Sequence, residues 1–236
     1  KPLPSGSGFF LLWAENYDRK LTDIFALQDE IAMKIMAELQ LKITFEEIGR
    51  LSATKTKNIR AYEKYLMGYE HYFRRTEEDS QQARKFAQEA ISIDPEYGAA
   101  YQLLAYANLD DVWYYRTKSA ATTLETAENL IKKSIDLSGN DATAHRLLGS
   151  VYYLRREYDE AVSECKKALD MSPNSAESNY WYAHALRYAG RFDEAISYFK
   201  KAIRRNPITP MTYLNNIAWA YAFSEQYATA ISIWNK

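Results

Sequence analysis

The chain has 236 residues, 47% hydrophobic and 26% charged, with 20 Tyr and 5 Trp beside only 8 Gly and 6 Pro. That balance excludes a disordered chain and suits one large or two small domains of packed helices. A formal net charge of −1 gives no electrostatic drive toward nucleic acid or an anionic membrane. The single cysteine, Cys165, excludes an internal disulfide framework and a cysteine-based zinc cluster.

In chain order, KPLPSGSG reads as linker or tag, and the apolar run Phe9–Trp13 is too short for a signal-peptide core. No run reaches the ~18 apolar residues of a membrane span. Residues 1–21 are therefore expected to be an extended amino-terminal segment. Between 22 and 57, Ile24, Leu27, Ile31, Ile35 and Leu39 share one helical stripe that Thr22 or Asp23 can cap. Thr44 and Glu47 then stand at capping-box spacing for a second, shorter helix. These two helices are expected to cover the amino-terminal end of the region from residue 58 onward.

From residue 58 the chain is repetitive. REYDEAVSECKKALDMSPN and GRFDEAISYFKKAIRRNPI align without a gap, with Ala161 and Ala195, Ala168 and Ala202, Pro173 and Pro207, and Gly149 and Ala183 each 34 residues apart. Small residues mark where two antiparallel helices come close, large ones such as Tyr152 and Phe199 fill the adjacent holes, and proline stops each second helix. An earlier unit carries Gly68, Ala83, Ala90 and Pro95, with an inter-helix turn, RRTEEDS, about three residues longer than in the regular units. The next has Ala105, Ala127 and Ile131, with Gly139 in place of proline and an insertion of about ten residues around DDVWYYRTKSAAT. That insertion is either longer helices or an exposed contact. A fifth unit holds Leu214, Ala218, Tyr221 and Ala230 and stops in mid-pattern at Lys236, as expected of a piece of a longer chain.

A 34-residue helix–turn–helix with this small/large/small/Pro order resembles the tetratricopeptide repeat. The resemblance implies an all-α fold: a right-handed solenoid of about five hairpins over 58–236. The expected units are 61–97, 98–141, 142–175, 176–210 and an incomplete 211–236. LWAENYDRKLTDIFALQDEIA and NIRAYEKYLMGYEHYFRRTEED further resemble the junction between a TolB-like α/β domain and a tetratricopeptide array in bacterial multidomain proteins. Such proteins often begin with a class III nucleotide cyclase or a winged-helix domain, and neither is present in this sequence. The resemblance implies that residues 11–19 are the last strand of a preceding domain. A lone apolar strand has an unsatisfied edge, so Phe9–Trp13 is expected to dock on its own helices or on another copy.

No catalytic, metal or cofactor site is expected. His71, His145 and His184 fall in three different units without ligand spacing. Cys165 occupies a packing position, and no glycine-rich phosphate loop occurs. A binding site is better supported, because the first helices of stacked hairpins line a concave face that can hold a peptide or helix. Non-core positions there are Tyr65, Tyr69 and Tyr72, then Gln102 and Tyr106, then Arg146 and Tyr153, then Tyr180, His184 and Arg187, and finally Asn215 and Trp219. Tyr and Trp offer large contact area with few rotors to freeze, although aromatics at this spacing also pack between hairpins. The resulting expectation is a non-catalytic scaffold for a protein or peptide partner, cytoplasmic, or periplasmic if a membrane span lies upstream. Two other readings stay open: the regulatory half of a nucleotide cyclase or transcription regulator, and a structural self-association module.

Overall fold

A computed structural model describes Leu27 and residues 56–74, 76–139, 141–206 and 211–235. The chain divides into two units, Lys1–Ser52 and Ala53–Lys236. The expected capping helices (apart from Leu27, which is helical), the strand remnant and the association surface at 9–13 lie outside the described residues.

The described part of the second unit is helical throughout: α1 Ile59–Arg74, α2 Glu77–Ile93, α3 Gly98–Trp113, α4 Ala120–Ser138, α5 Ala142–Leu154, α6 Tyr158–Met171, α7 Ala176–Tyr188, α8 Phe192–Arg205, α9 Met211–Phe223 and α10 Tyr227–Trp234. Each odd helix packs on the even helix after it, and each even helix packs on the next odd one. Odd helices also touch one another along the series. The first helices therefore converge on an inner face and the second helices form the outside, as in an α-solenoid.

Local chemistry starts and stops these helices. Side chains cap most of the first helices: Asn58 Oδ1 accepts from Ala61 N at 3.3 Å, Asp141 Oδ1 from Ala144 N at 2.8 Å and Ser175 Oγ from Ser178 N at 3.2 Å. Four first helices end in a turn whose backbone amides reach back to their last carbonyls. In α5 and α7 these bonds run from Glu157 N to Tyr152 O and from Arg191 N to Leu186 O, both 2.9 Å. The turn needs a left-handed residue. Glycine supplies it at Gly190 (φ 77°), whereas Tyr115, Arg156 and Glu225 adopt it (φ 56°, 67° and 63°) at a cost of about 1–2 kcal/mol each.

The length irregularities are helical. α1 and α2 have 16 and 17 residues, and α3 and α4 have 16 and 19, against 13 and 14 in both α5/α6 and α7/α8. RRTEEDS is thus not a long turn, because α1 runs to Arg74 and α2 starts at Glu77. Thr76 Oγ1 accepts from Asp79 N at 3.0 Å, a capping pattern that begins a helix where the sequence reading placed a loop. The insertion in the second hairpin likewise lengthens both helices and leaves only 114–119 between them. At its tip Tyr115 is 93% exposed.

Inside each hairpin the two helices meet at small residues. A Cβ on Gly149 would lie 2.4 Å from Cys165 Sγ and 3.3 Å from the Ala161 carbonyl. One on Gly68 would lie 2.9 Å from Leu103 Cδ2 and 3.1 Å from the Ala83 carbonyl. Ala161, Ala195 and Ala202 are wholly buried, as are Ala83, Ala87 and Ala90 of α2. Cys165 is core too, and burial pushes its thiol up to about 12, which removes it as a nucleophile.

Gly149→Val is expected to destabilise the array by about 1–3 kcal/mol through overpacking at this seam. The penalty should shrink in a Cys165→Ala background, where the nearest atom is gone. Urea unfolding of the two single variants and the double variant measures the coupling.

Candidate functional site

The inner face is a groove of about 1290 Å³ with walls contributed by all five first helices. That exceeds the ~300–1,000 Å³ of a typical small-molecule pocket. Of the twelve residues singled out from the sequence, nine line it: Tyr69, Tyr72, Tyr106, Arg146, Tyr180, His184, Arg187, Asn215 and Trp219.

The other three do not line it. Gln102 is buried, donating through Nε2 to Ser134 Oγ at 2.9 Å and to Asp141 Oδ2 at 2.7 Å, so it ties α3 to α4 and to the cap of α5. Tyr65 packs edge-on against Tyr97 at 5.3 Å in the core between the first and second hairpins. Tyr153 meets the rings of Tyr188 at 4.4 Å, His184 at 5.0 Å and Trp113 at 5.3 Å, behind the groove wall. Each of the three supports a neighbouring element.

The groove also holds residues outside those twelve: Phe73, Trp181, Tyr188, Tyr213, Asn216, Phe223 and, from the insertion read as longer helices or an exposed contact, Trp113. Four of these extend a stripe already named: Phe73 is four residues beyond Tyr69, Trp113 seven beyond Tyr106, Tyr188 four beyond His184 and Phe223 four beyond Trp219. Extending each stripe by one turn, or by two in the case of Trp113, would have found them.

Polar groups in the wall are held in place. Tyr180 stacks on Tyr213 at 4.2 Å and 8°, and its hydroxyl accepts from Asn216 Nδ2 at 3.0 Å. Asn216 Oδ1 in turn accepts from Arg187 Nη2 at 3.1 Å, while Asn215 Oδ1 accepts from Trp234 Nε1 at 2.9 Å. Arg146 faces the rings of Tyr106 at 5.1 Å and Trp181 at 5.8 Å. Burial, the leading cause, raises the Tyr69 hydroxyl; Glu177 pushes it the same way and Arg146 opposes. His184 sits among the rings of Trp113, Tyr153, Tyr180, Trp181 and Tyr188, and burial, aided by the Arg187 charge, lowers its pKa to about 3.

The remaining histidines serve hairpins. His71 Nδ1 meets Asp79 Oδ1 at 2.7 Å, and His145 Nδ1 meets Glu164 Oε2 at 2.6 Å, each joining a first helix to its second. Among the described residues, no cluster of three His, Cys, Asp or Glu side chains could hold a metal ion, and no helix is long and apolar enough to cross a membrane.

An all-helical array of hairpins with an aromatic inner groove defines a class of interaction solenoid. Family models described as tetratricopeptide repeat match residues 140–207 and 183–236, so the chain carries tetratricopeptide repeats from residue 140 onward, and the hairpins before them continue the same solenoid. A protein of Rhizobium meliloti (strain 1021), named "Putative adenylate cyclase 3", is 31% identical over 150 residues, which are 64% of this chain and 26% of that protein. The chain thus spans about a quarter of that relative's length. Among solved structures, PilF of Pseudomonas aeruginosa matches with a TM-score of 0.56 at 18% identity, over 79% of this chain and 76% of that one. MamA (41 to the end) of Desulfovibrio magneticus RS-1 matches with a TM-score of 0.51 at 15% identity, over 75% and 93%. At such identities the likeness is one of fold. The tetratricopeptide fold supports protein–protein interaction, and proteins built on it are generally non-catalytic.

His184 generates a pH test. Its pKa falls on folding, so between its ordinary value of 6.5 and about 3 the unfolded chain binds a proton that the folded chain refuses. This contribution to stability is intact above 6.5 and declines on acidification by about 1.4 kcal/mol per pH unit. His184→Gln should therefore lose less stability than the parent when the pH is lowered from 6.5 to about 5, as read by urea midpoints. Equal losses would mean that His184 takes a proton inside the folded groove.

Proposed function

We propose that the inner groove holds a segment of a partner protein, as an extended peptide or a helix, and that the array acts as a non-catalytic scaffold. The observation that carries this reading is the groove itself: one continuous concavity of about 1290 Å³ lined by five successive first helices, four of which supply aromatic side chains while α5 supplies Arg146. Rigid rings with polar tips bind by contact area and direct the segment by hydrogen bonds, which is how interface hot spots work. A second reading comes from the similarity to the Rhizobium meliloti protein: the array is the regulatory portion of a larger protein whose other part is a nucleotide cyclase. The two are compatible, since a groove that binds a partner can report its presence to an attached domain.

Combining Tyr69→Ser, Tyr106→Ser and Arg187→Gln is expected to weaken capture of a partner from extracts of the source cells by more than about 100-fold. Helical circular dichroism and the melting temperature identify any loss of fold. Equal capture by the variant and the parent would place the binding surface elsewhere.

A further inference from the structure

Arg146 and Arg187 stand on neighbouring inner helices, α5 and α7, and are only 4% and 7% exposed. Taking a guanidinium out of water costs several kcal/mol unless a carboxylate and hydrogen bonds replace the water. Arg187 has one side-chain hydrogen bond, to Asn216, and lies 4.0 Å over the ring of Tyr188. Its buried Nε donates to nothing. Among the described residues it makes no ion pair. Among the described residues Arg146 has one ionic partner, Glu177 Oε1 at 3.4 Å, whose side chain is 58% exposed and so largely hydrated. Asp110 also lines the groove but is engaged in another interaction. His184 is held neutral by burial and adds no charge. The floor of the groove thus carries two buried guanidiniums, of which Arg146 pairs with a largely exposed carboxylate and Arg187 makes no ion pair among the described residues.

We propose that the groove selects a peptide segment bearing an Asp or Glu side chain flanked on both sides by aromatic or aliphatic residues, with the carboxylate on the guanidinium of Arg187 and Arg146 supplying the second positive charge. This rests on the reading of the groove as a peptide site. A carboxylate accepts two parallel N–H bonds from a guanidinium, and Nε–H is one of the donors suited to that geometry. A side chain rather than a chain terminus is favoured by position. Arg146 and Arg187 stand on the third and fourth of the five inner helices, so the cationic floor lies between the two ends of the described array. Aromatic wall continues on either side of it, with Tyr69 and Tyr106 toward one end and Tyr213 and Trp219 toward the other. A terminal carboxylate anchored in the middle would leave one of those walls uncovered.

The test pans the full chain against two random 12-residue peptide libraries, one displayed inside a loop and one with free carboxyl ends. The expected result is enrichment of loop-displayed peptides with an acidic residue at a fixed position between apolar ones. In a synthetic, end-capped peptide of the selected sequence, changing that Glu to Gln or Asp to Asn should weaken binding about 30-fold or more. The NMR signal of Arg187 Nε–H should move with the acidic peptide and not with its amide counterpart. Arg187→Gln should abolish the preference for the acid; if that variant does not fold, the acid-to-amide comparison on the parent protein decides. Selected peptides without an acid, no loss on amidation, or enrichment only among free carboxyl ends would each overturn this inference and leave the peptide site standing. Absence of enrichment from both libraries would overturn the peptide site as well.

Discussion

The array depends on how closely the two helices of a hairpin can approach. At Gly149 there is no room for a single added carbon, because Cys165 Sγ and the Ala161 carbonyl already occupy the space. At Gly68 the fit is close too, with the Ala83 carbonyl 3.1 Å from an added carbon and the side-chain tip of Leu103, from the next hairpin, at 2.9 Å. Tight seams of Gly and Ala bring backbones together and gain dispersion contacts that bulkier side chains would prop apart. They also dictate where large residues go. With the intra-hairpin surface reserved for small side chains, much of the chain's aromatic content lies on the first helices, either wedged between hairpins, as Tyr65 and Tyr153 are, or facing the groove.

Length variation acts on the same seam. The contacting small residues are 12 positions apart in the third hairpin, from 149 to 161, and 15 apart in the first, from 68 to 83. The added residues extend the helices beyond the seam and leave it unchanged, and the overhang of the first helix enters the groove. Trp113 lies on such an overhang, eight residues beyond Ala105, whereas Phe73 stands where Leu154 and Tyr188 end the regular first helices. Irregular repeats therefore change the binding surface without disturbing the packing that holds the hairpins together.

The architecture was readable because its physical cause is local. A 34-residue interval between small residues, with proline after each second helix, is a pattern that a single sequence displays. The groove was partly readable for the same reason: positions three, four or seven apart on a helix share a face, and nine of the twelve residues chosen that way line the concavity. Gln102 shows why the rest were not. Its partners Ser134 and Asp141 are 32 and 39 residues away, and nothing near it in sequence announces that its amide is already spent on them. RRTEEDS was misread because the three extra residues between Gly68 and Ala83 were assigned to the turn and not to the helices, although Thr76 and Asp79 within it carry a capping signal. Trp113 was left out because the insertion that carries it read equally as longer helices or an exposed contact, and Phe73, like Tyr188, because its stripe was not followed to the last residue of a regular-length helix.

Trp113 also alters how the parts hold one another up. Its ring contacts Tyr153 at 5.3 Å and His184 at 5.8 Å, so the second hairpin touches both the third and the fourth. Solenoids are commonly described by a one-dimensional chain of units, each coupled only to its immediate neighbours. A contact that skips a unit adds a second-neighbour term to that description. The three middle hairpins are thereby tied into one cooperative block.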